Sequence, residues 1–199
     1  MASSVNPHVA SPSIAVVATI TPSTYKRGES ENAIPILSIK ATLDASAPKP
    51  VTVNTWHTIF NLGLALKRRS FTVQDLTQNP PANISLEISK GPKRPDFRRI
   101  KGSGDEKYYV TLHPAQETIV AEHPLNIVRR TENELPVFRA GHVYQIGLSE
   151  EGIMVRDWWW GTTDDVLAEV GEPPEDVSDI RGTGSIELLM EPVVFKVVG

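Results

Sequence analysis

The feature that most restricts what this chain can become is a two-residue hydrophobic period that recurs in short stretches, each cut off by Pro, Gly or Asn. Leu37, Ile39, Ala41 and Leu43 alternate with Ser38, Lys40, Thr42 and Asp44. A strand there puts its apolar set on one face and its polar set on the other. Residues 13–21 form a first strand, closed by the Thr21-Pro22-Ser23 turn and the polar loop Lys26-Arg27-Gly28-Glu29. Further strands are predicted at 51–56, 71–76, 84–88, 108–112, 118–122, 142–148 and 193–198, with Pro48, Pro50, Pro80 and Pro81 as punctuation. Short strands of this kind with few helical windows predict an all-β fold, an immunoglobulin-like antiparallel β-sandwich. With 199 residues the chain fits one such domain over 13–199, after a flexible N-terminus at 1–12.

Two windows break the alternation. Residues 58–67 are apolar without a strict period, which fits either a bulged strand or a helical turn. Thr162-Thr163-Asp164-Asp165 ahead of Val166, Leu167 and Val170 reads as a capped short helix stopped by Gly171 and the Pro173-Pro174 pair, because Thr and Asp side chains take up the free amides of a first turn. A formal charge of -4 conceals two opposed segments. Lys67, Arg68, Arg69, Lys90, Lys93, Arg94, Arg98, Arg99 and Lys101 outnumber Asp75, Glu87 and Asp96, and the basic loop at 90–104 concentrates them. Beyond residue 150 acids dominate, and 171–184 reads as an exposed acidic loop. Attraction between these segments within one molecule competes with any reading of the basic loop as a nucleic-acid surface.

Composition removes several classes of chemistry. With no cysteine there are no disulfides, thiolate metal sites, iron-sulfur clusters or thiol nucleophiles. Hydrophobic residues at 40% and charged residues at 22% are those of a globular chain, and the apolar run at 14–20 is too short to span a bilayer. Residues 1–13 carry no Lys or Arg and do not make a secretory leader, so a soluble protein of the cytoplasm with no membrane partner is expected.

The strand at 13–21, the Lys-Arg-Gly loop, the alternation through Leu43, the run Pro50-Val51-Thr52-Val53-Asn54-Thr55-Trp56-His57-Thr58, Phe71-Thr72-Val73, Tyr109-Val110-Thr111-Leu112-His113-Pro114 and His123-Pro124-Leu125 form a recognisable series. This series resembles the N-terminal sandwich domain of fungal deuterolysin-like and peptidyl-lysine metalloproteases, over 13–148. The resemblance implies a fold and a fungal origin. The helical zinc motif H-E-x-x-H does not occur in the sequence, so no protease residue is carried over. The Trp-rich C-terminal extension lies outside the match.

Asp157-Trp158-Trp159-Trp160-Gly161 holds three of the four tryptophans. As a strand it would turn Trp158 and Trp160 to one face and Trp159 to the other. Core packing under a lid is one reading; an aromatic platform for a ligand, oriented by Tyr144, His142 and Arg156, is the other. Lys93, Arg94, Arg98 and Arg99 are candidate anion-binding residues in the basic loop. The five histidines show no metal-ligand spacing, and no nucleophile elbow or phosphate loop is present, so neither metal nor cofactor is expected.

The leading expectation is therefore a non-enzymatic binding or interaction module using the aromatic patch and the basic loop, with a protein or a small apolar metabolite as partner rather than nucleic acid. The alternative is a small cofactor-free enzyme, of cyclase or isomerase type, with a Trp-lined pocket for an apolar metabolite.

Overall fold

A computed structural model describes residues 11–26, 34–84, 96–125, 138–172 and 176–199. Along the chain run β1 (Ile14–Thr21), β2 (Thr24–Lys26), β3 (Ile36–Leu43), β4 (Val51–Asn54), α1 (Leu62–Ala65), β5 (Phe71–Asp75), β6 (Ala82–Ile84) and a 3-10 turn at Glu106–Tyr108. They are followed by β7 (Tyr109–Leu112), β8 (Glu117–Pro124), β9 (Val143–Leu148), β10 (Met154–Val155), β11 (Trp158–Trp160), α2 (Thr163–Val166), β12 (Ile186–Met190) and β13 (Val193–Val198).

The fold is all-β and sandwich-like. The strands form sheets in the orders β10-β12-β1-β3-β8, β11-β4-β7 and β2-β13-β9-β5-β6. Pairing is antiparallel except at β1–β12 and β13–β2, which are parallel. Leu37, Ile39, Ala41 and Leu43 are fully buried, so the alternation that marked β3 is the face it turns into the core. Opposite it, β8 carries a register shift between the partners of Ile39 and Lys40: Ile39 faces Ala121 and Lys40 faces Ile119, leaving Val120 as the extra residue of a bulge. Ile14, Val16, Val51, Val53, Val73, Tyr144, Ile146, Ile186, Leu188 and Phe195 join the same core. Each such side chain contributes about 1.5–3 kcal/mol when fully buried, which is why a one-residue slip of any of these strands is prohibitive.

The ambiguous stretch at 58–67 resolves as a helical turn. Leu62, Ala65 and Leu66 are buried at i, i+3 and i+4, the spacing of one helix face, which explains the missing two-residue period. The short helix expected after Gly161 is α2. The Asp165 carboxylate accepts from both the backbone N–H and the hydroxyl of Thr162, at 2.7 and 2.9 Å.

Two expectations need correction. The Trp segment is no extension: β11 pairs with β4 in register, Trp158 opposite Val53 and Trp160 opposite Val51. The acidic stretch is no simple exposed loop either, because Val177 is buried, Ile180 packs beside it, and Arg181 bridges to Trp159. Burying Val177 over an indole outweighs the polar character of its neighbours. Of the flexible N-terminus expected at 1–12, residues 1–10 lie outside the described residues, while the Ser11 hydroxyl donates to the Thr183 carbonyl at 2.9 Å.

Candidate functional site

The three consecutive indoles divide as strand geometry demands. Trp158 and Trp160 share the main core, edge to face with ring centroids 5.2 Å apart. Trp159, on the opposite face, heads a second small core with Tyr109, Val166, Leu167 and Val177, covered in part by Phe97 and Ile180. Trp158 is 1% exposed and Trp159 7%, so they offer no platform to a ligand.

Tyr144 lies on β9, in a different sheet, and His142 immediately precedes that strand. Tyr144 is buried between Phe138 and Phe195, and its hydroxyl accepts the Arg139 N–H at 2.7 Å. His142 stacks on Tyr144 and meets the Asp75 carboxylate through Nδ1. The structure thus does not bring the predicted ligand residues together: of the six, Arg156 alone lines the cleft described below.

Of the basic-loop candidates, Lys93 and Arg94 lie outside the described residues. The Arg98 side chain is exposed and its N–H donates to Asp105 at 3.0 Å. Arg99 is half-buried, and its carbonyl accepts from Ala168 N–H at 2.9 Å. Ala168 in turn accepts from Lys101 N–H, and Lys101 Nζ reaches Asp164 at 2.9 Å and Glu169 at 2.5 Å. The end of the basic segment is therefore docked on the acidic region around α2, the intramolecular outcome.

A cleft of about 560 Å³ opens elsewhere, where the neighbouring segments 54–58 and 68–70 meet a third, 151–157, from far along the chain. The first ends β4. Asn54 Oδ1 accepts the Trp56 N–H at 3.0 Å, and the Thr58 hydroxyl donates to the Thr55 carbonyl while accepting the Phe60 N–H. These side-chain turns hold the buried run on either side and leave His57 as its exposed member. The second segment follows α1 and brings Arg68 and Ser70. Arg68 NH1 donates to the Trp56 carbonyl at 3.0 Å, and the guanidinium lies 5.3 Å from the Trp56 ring centroid. The third segment supplies Glu151, Met154, Arg156 and Asp157.

The walls are tied together by backbone. Asn54 N–H donates to the Asp157 carbonyl at 2.9 Å, and Ser149 N–H to the Ser70 carbonyl at 3.1 Å. Gly152 has no alternative at its position, since a Cβ there would stand 2.1 Å from the Ser70 carbonyl oxygen.

The charges of the cleft are unequally engaged. Asp157 is paired with Arg181 at 3.1 Å, and Arg68 is fixed as described. Among the described residues Arg156 and Glu151 have neither a hydrogen bond nor an ion pair. The His57 imidazole, exposed yet partly desolvated in the cleft, titrates below its ordinary value because that desolvation disfavours the charged ring and the Arg68 charge repels it; Arg156 adds to this and Asp157 opposes it. Arg68 NH1 stands 3.4 Å from His57 Nδ1. A guanidinium only donates, so this contact assigns Nδ1 the lone pair and Nε2 the proton. The neutral ring then offers a donor, not a base.

Sequence reading named Arg156 but took His57 and Arg68 only as one histidine and one cation among several. The usable signal was local: a β-run ending in Asn-Thr-Trp-His-Thr, where hydroxyl and amide side chains close a turn and one imidazole is left outside. Comparison of the chain with protein-family models, with curated proteins and with solved structures found no match.

Proposed function

We propose that this domain is a non-enzymatic binding module that holds a small ligand bearing an anionic group in the cleft of His57, Arg68 and Arg156. The observation that carries this reading is the unpartnered Arg156 guanidinium, in a cleft where Arg68 is already fixed by a carbonyl and an indole face and His57 is a neutral donor. Arg is suited to carboxylate because its planar fork meets both oxygens, and a donor that is already positioned loses less entropy on binding. The volume falls in the ordinary range for small-molecule sites.

The same geometry argues against catalysis at this place. A general base needs a lone pair facing its substrate, and Arg68 occupies the one that His57 has. The alternative of an enzyme with a Trp-lined apolar pocket draws no support from indoles buried as deeply as Trp158 and Trp159. Every residue that lines the cleft except Met154 carries a polar or charged group, which favours a ligand with polar groups over the wholly apolar metabolite expected from the sequence. Within this reading we keep the fungal sandwich resemblance and a cytoplasmic setting as parts of the proposal.

Titrating 15N-labelled protein with sodium propionate tests it. Saturable amide shifts are expected at His57, Arg68 and Arg156, and they should vanish in R156A, whose melting temperature stays that of the parent because Arg156 is exposed and unpaired. Shifts scattered over the surface without saturation, or saturation untouched by R156A, would overturn the assignment.

A further inference from the structure

The cleft holds two ionic groups without a partner among the described residues, and they have opposite signs: Arg156 and Glu151. Its other two ionised groups are committed, Asp157 to Arg181 and Arg68 to the Trp56 carbonyl and ring. With His57 neutral, Arg68 and Arg156 against Glu151 and Asp157 leave the lining without net charge. A doubly charged anion such as phosphate would find one uncommitted cation and, in the same cleft, an uncommitted carboxylate repelling it. A ligand carrying both an anionic and a cationic group satisfies both residues at once.

Resting on the reading above, we infer that the ligand is a small zwitterion, an amino-terminated peptide-like molecule with its carboxylate at Arg156 and His57 and its ammonium at Glu151. The inference has three supports. Opposite charges at two places on one lining fix the direction in which a ligand lies and not merely its affinity. Met154, more than a third exposed on the lining, gives an apolar side chain a soft surface to cover. Ser70 is buried at the cleft and its hydroxyl has no hydrogen-bond partner among the described residues, so it is available to an amide between the two charged ends. A cleft of about 560 Å³ has room for a ligand of more than one amino acid.

Calorimetric titration of the intact protein with alanyl-methionine, its N-acetylated form and its C-terminal amide tests this. The free dipeptide should bind, and each blocked form should bind at least about tenfold more weakly, the scale of one lost charge-assisted contact. In E151Q the free and N-acetylated forms should bind alike, and in R156Q the free and amidated forms should bind alike. Both sites are exposed, so both variants should fold, and unchanged thermal melts would verify it. If the N-acetylated form binds the parent protein as well as the free dipeptide does, the zwitterion is overturned while the anion site stands. If the amide binds as well as the free dipeptide, the anionic anchor falls, and the proposed function with it. If none of the three binds, the peptide-like ligand is wrong, and the propionate titration alone decides the fate of the anion site.

Discussion

The Asp75 carboxylate meets His142 Nδ1 at 2.7 Å across the β5–β9 pair, with Asp75 itself 1% exposed. The same carboxylate accepts the Thr77 N–H and the Gln78 side-chain N–H, each at 3.0 Å. Burial pushes its pKa up, but the hydrogen bonds from Gln78, His142 and Thr77 outweigh burial and hold the value below the ordinary one. A carboxyl group depressed in the folded state stabilises the fold above its unfolded value, and that contribution is lost as pH falls through the depressed value. Asp75→Asn turns an acceptor into a donor facing other donors, at a cost of about 1–3 kcal/mol at neutral pH. Urea unfolding of the parent and D75N at pH 7 and near pH 3 checks this: the gap between them should narrow in acid, and a constant gap would refute the linkage.

Gly182 lies against the indole it helps to bury. Its N–H donates to the Trp158 carbonyl at 2.9 Å, and an added Cβ would fall 2.0 Å from the Trp158 ring. The β11 backbone is hydrogen-bonded to β4 on one side and to this segment on the other, so neither Trp158 nor Gly182 can withdraw cheaply. Gly182→Ala is expected to lower stability by about 1–3 kcal/mol, as overpacking does, and to alter near-ultraviolet tryptophan dichroism. Retention of parental stability would mean that the segment is loose in solution.

What the sequence revealed follows from which forces act locally. β1, β3, β5, β9 and β13 were legible because a half-buried strand writes its burial into every second residue. β2 and β10, of three and two residues, are too short to show a period, and β12, though it alternates, was obscured by the Gly-rich polar run before it. Parallel pairing of β12 with β1 has no local signature, since it is decided by topology. The indole division was legible from alternation alone; what covers Trp159 was not, because Val177 stands among acids that composition assigns to solvent. The cleft was the least legible of all. Its charges come from segments ending at Ser70 and starting at Glu151, and only folding shows that Asp157 is answered by Arg181 while Arg156 is not.

Lys101 tests how much the charge asymmetry of the chain contributes. Hydrogen bonds from its ammonium to Asp164 and then Glu169 raise its pKa, yet Asp164 and Glu169 are largely exposed. Exposed pairs are screened by water and salt, whereas the backbone bonds of Ala168 to Arg99 and Lys101 are unaffected by a side-chain change. Lys101→Ala should therefore shift the melting temperature by no more than about 2 °C, in low salt and in high salt alike. A larger, salt-sensitive shift would show that charge, rather than backbone pairing, docks the basic segment.

His57 makes stability and anion binding respond to pH in opposite directions. Its folded pKa lies below the ordinary histidine value, so between the two values the unfolded chain binds more protons and stability falls as the solution is acidified through that window. A protonated imidazole, on the other hand, adds a positive charge beside Arg68 and Arg156, so a bound anion favours protonation and acidification tightens binding. A sulfonate such as ethanesulfonate stays ionised throughout and isolates the protein's own titration. Its affinity should rise between pH 7.5 and pH 5.5 in the parent and stay flat in His57→Gln, while urea stability falls over the same interval in the parent and less in the variant. Equal pH dependence of affinity in both proteins would remove His57 from the site.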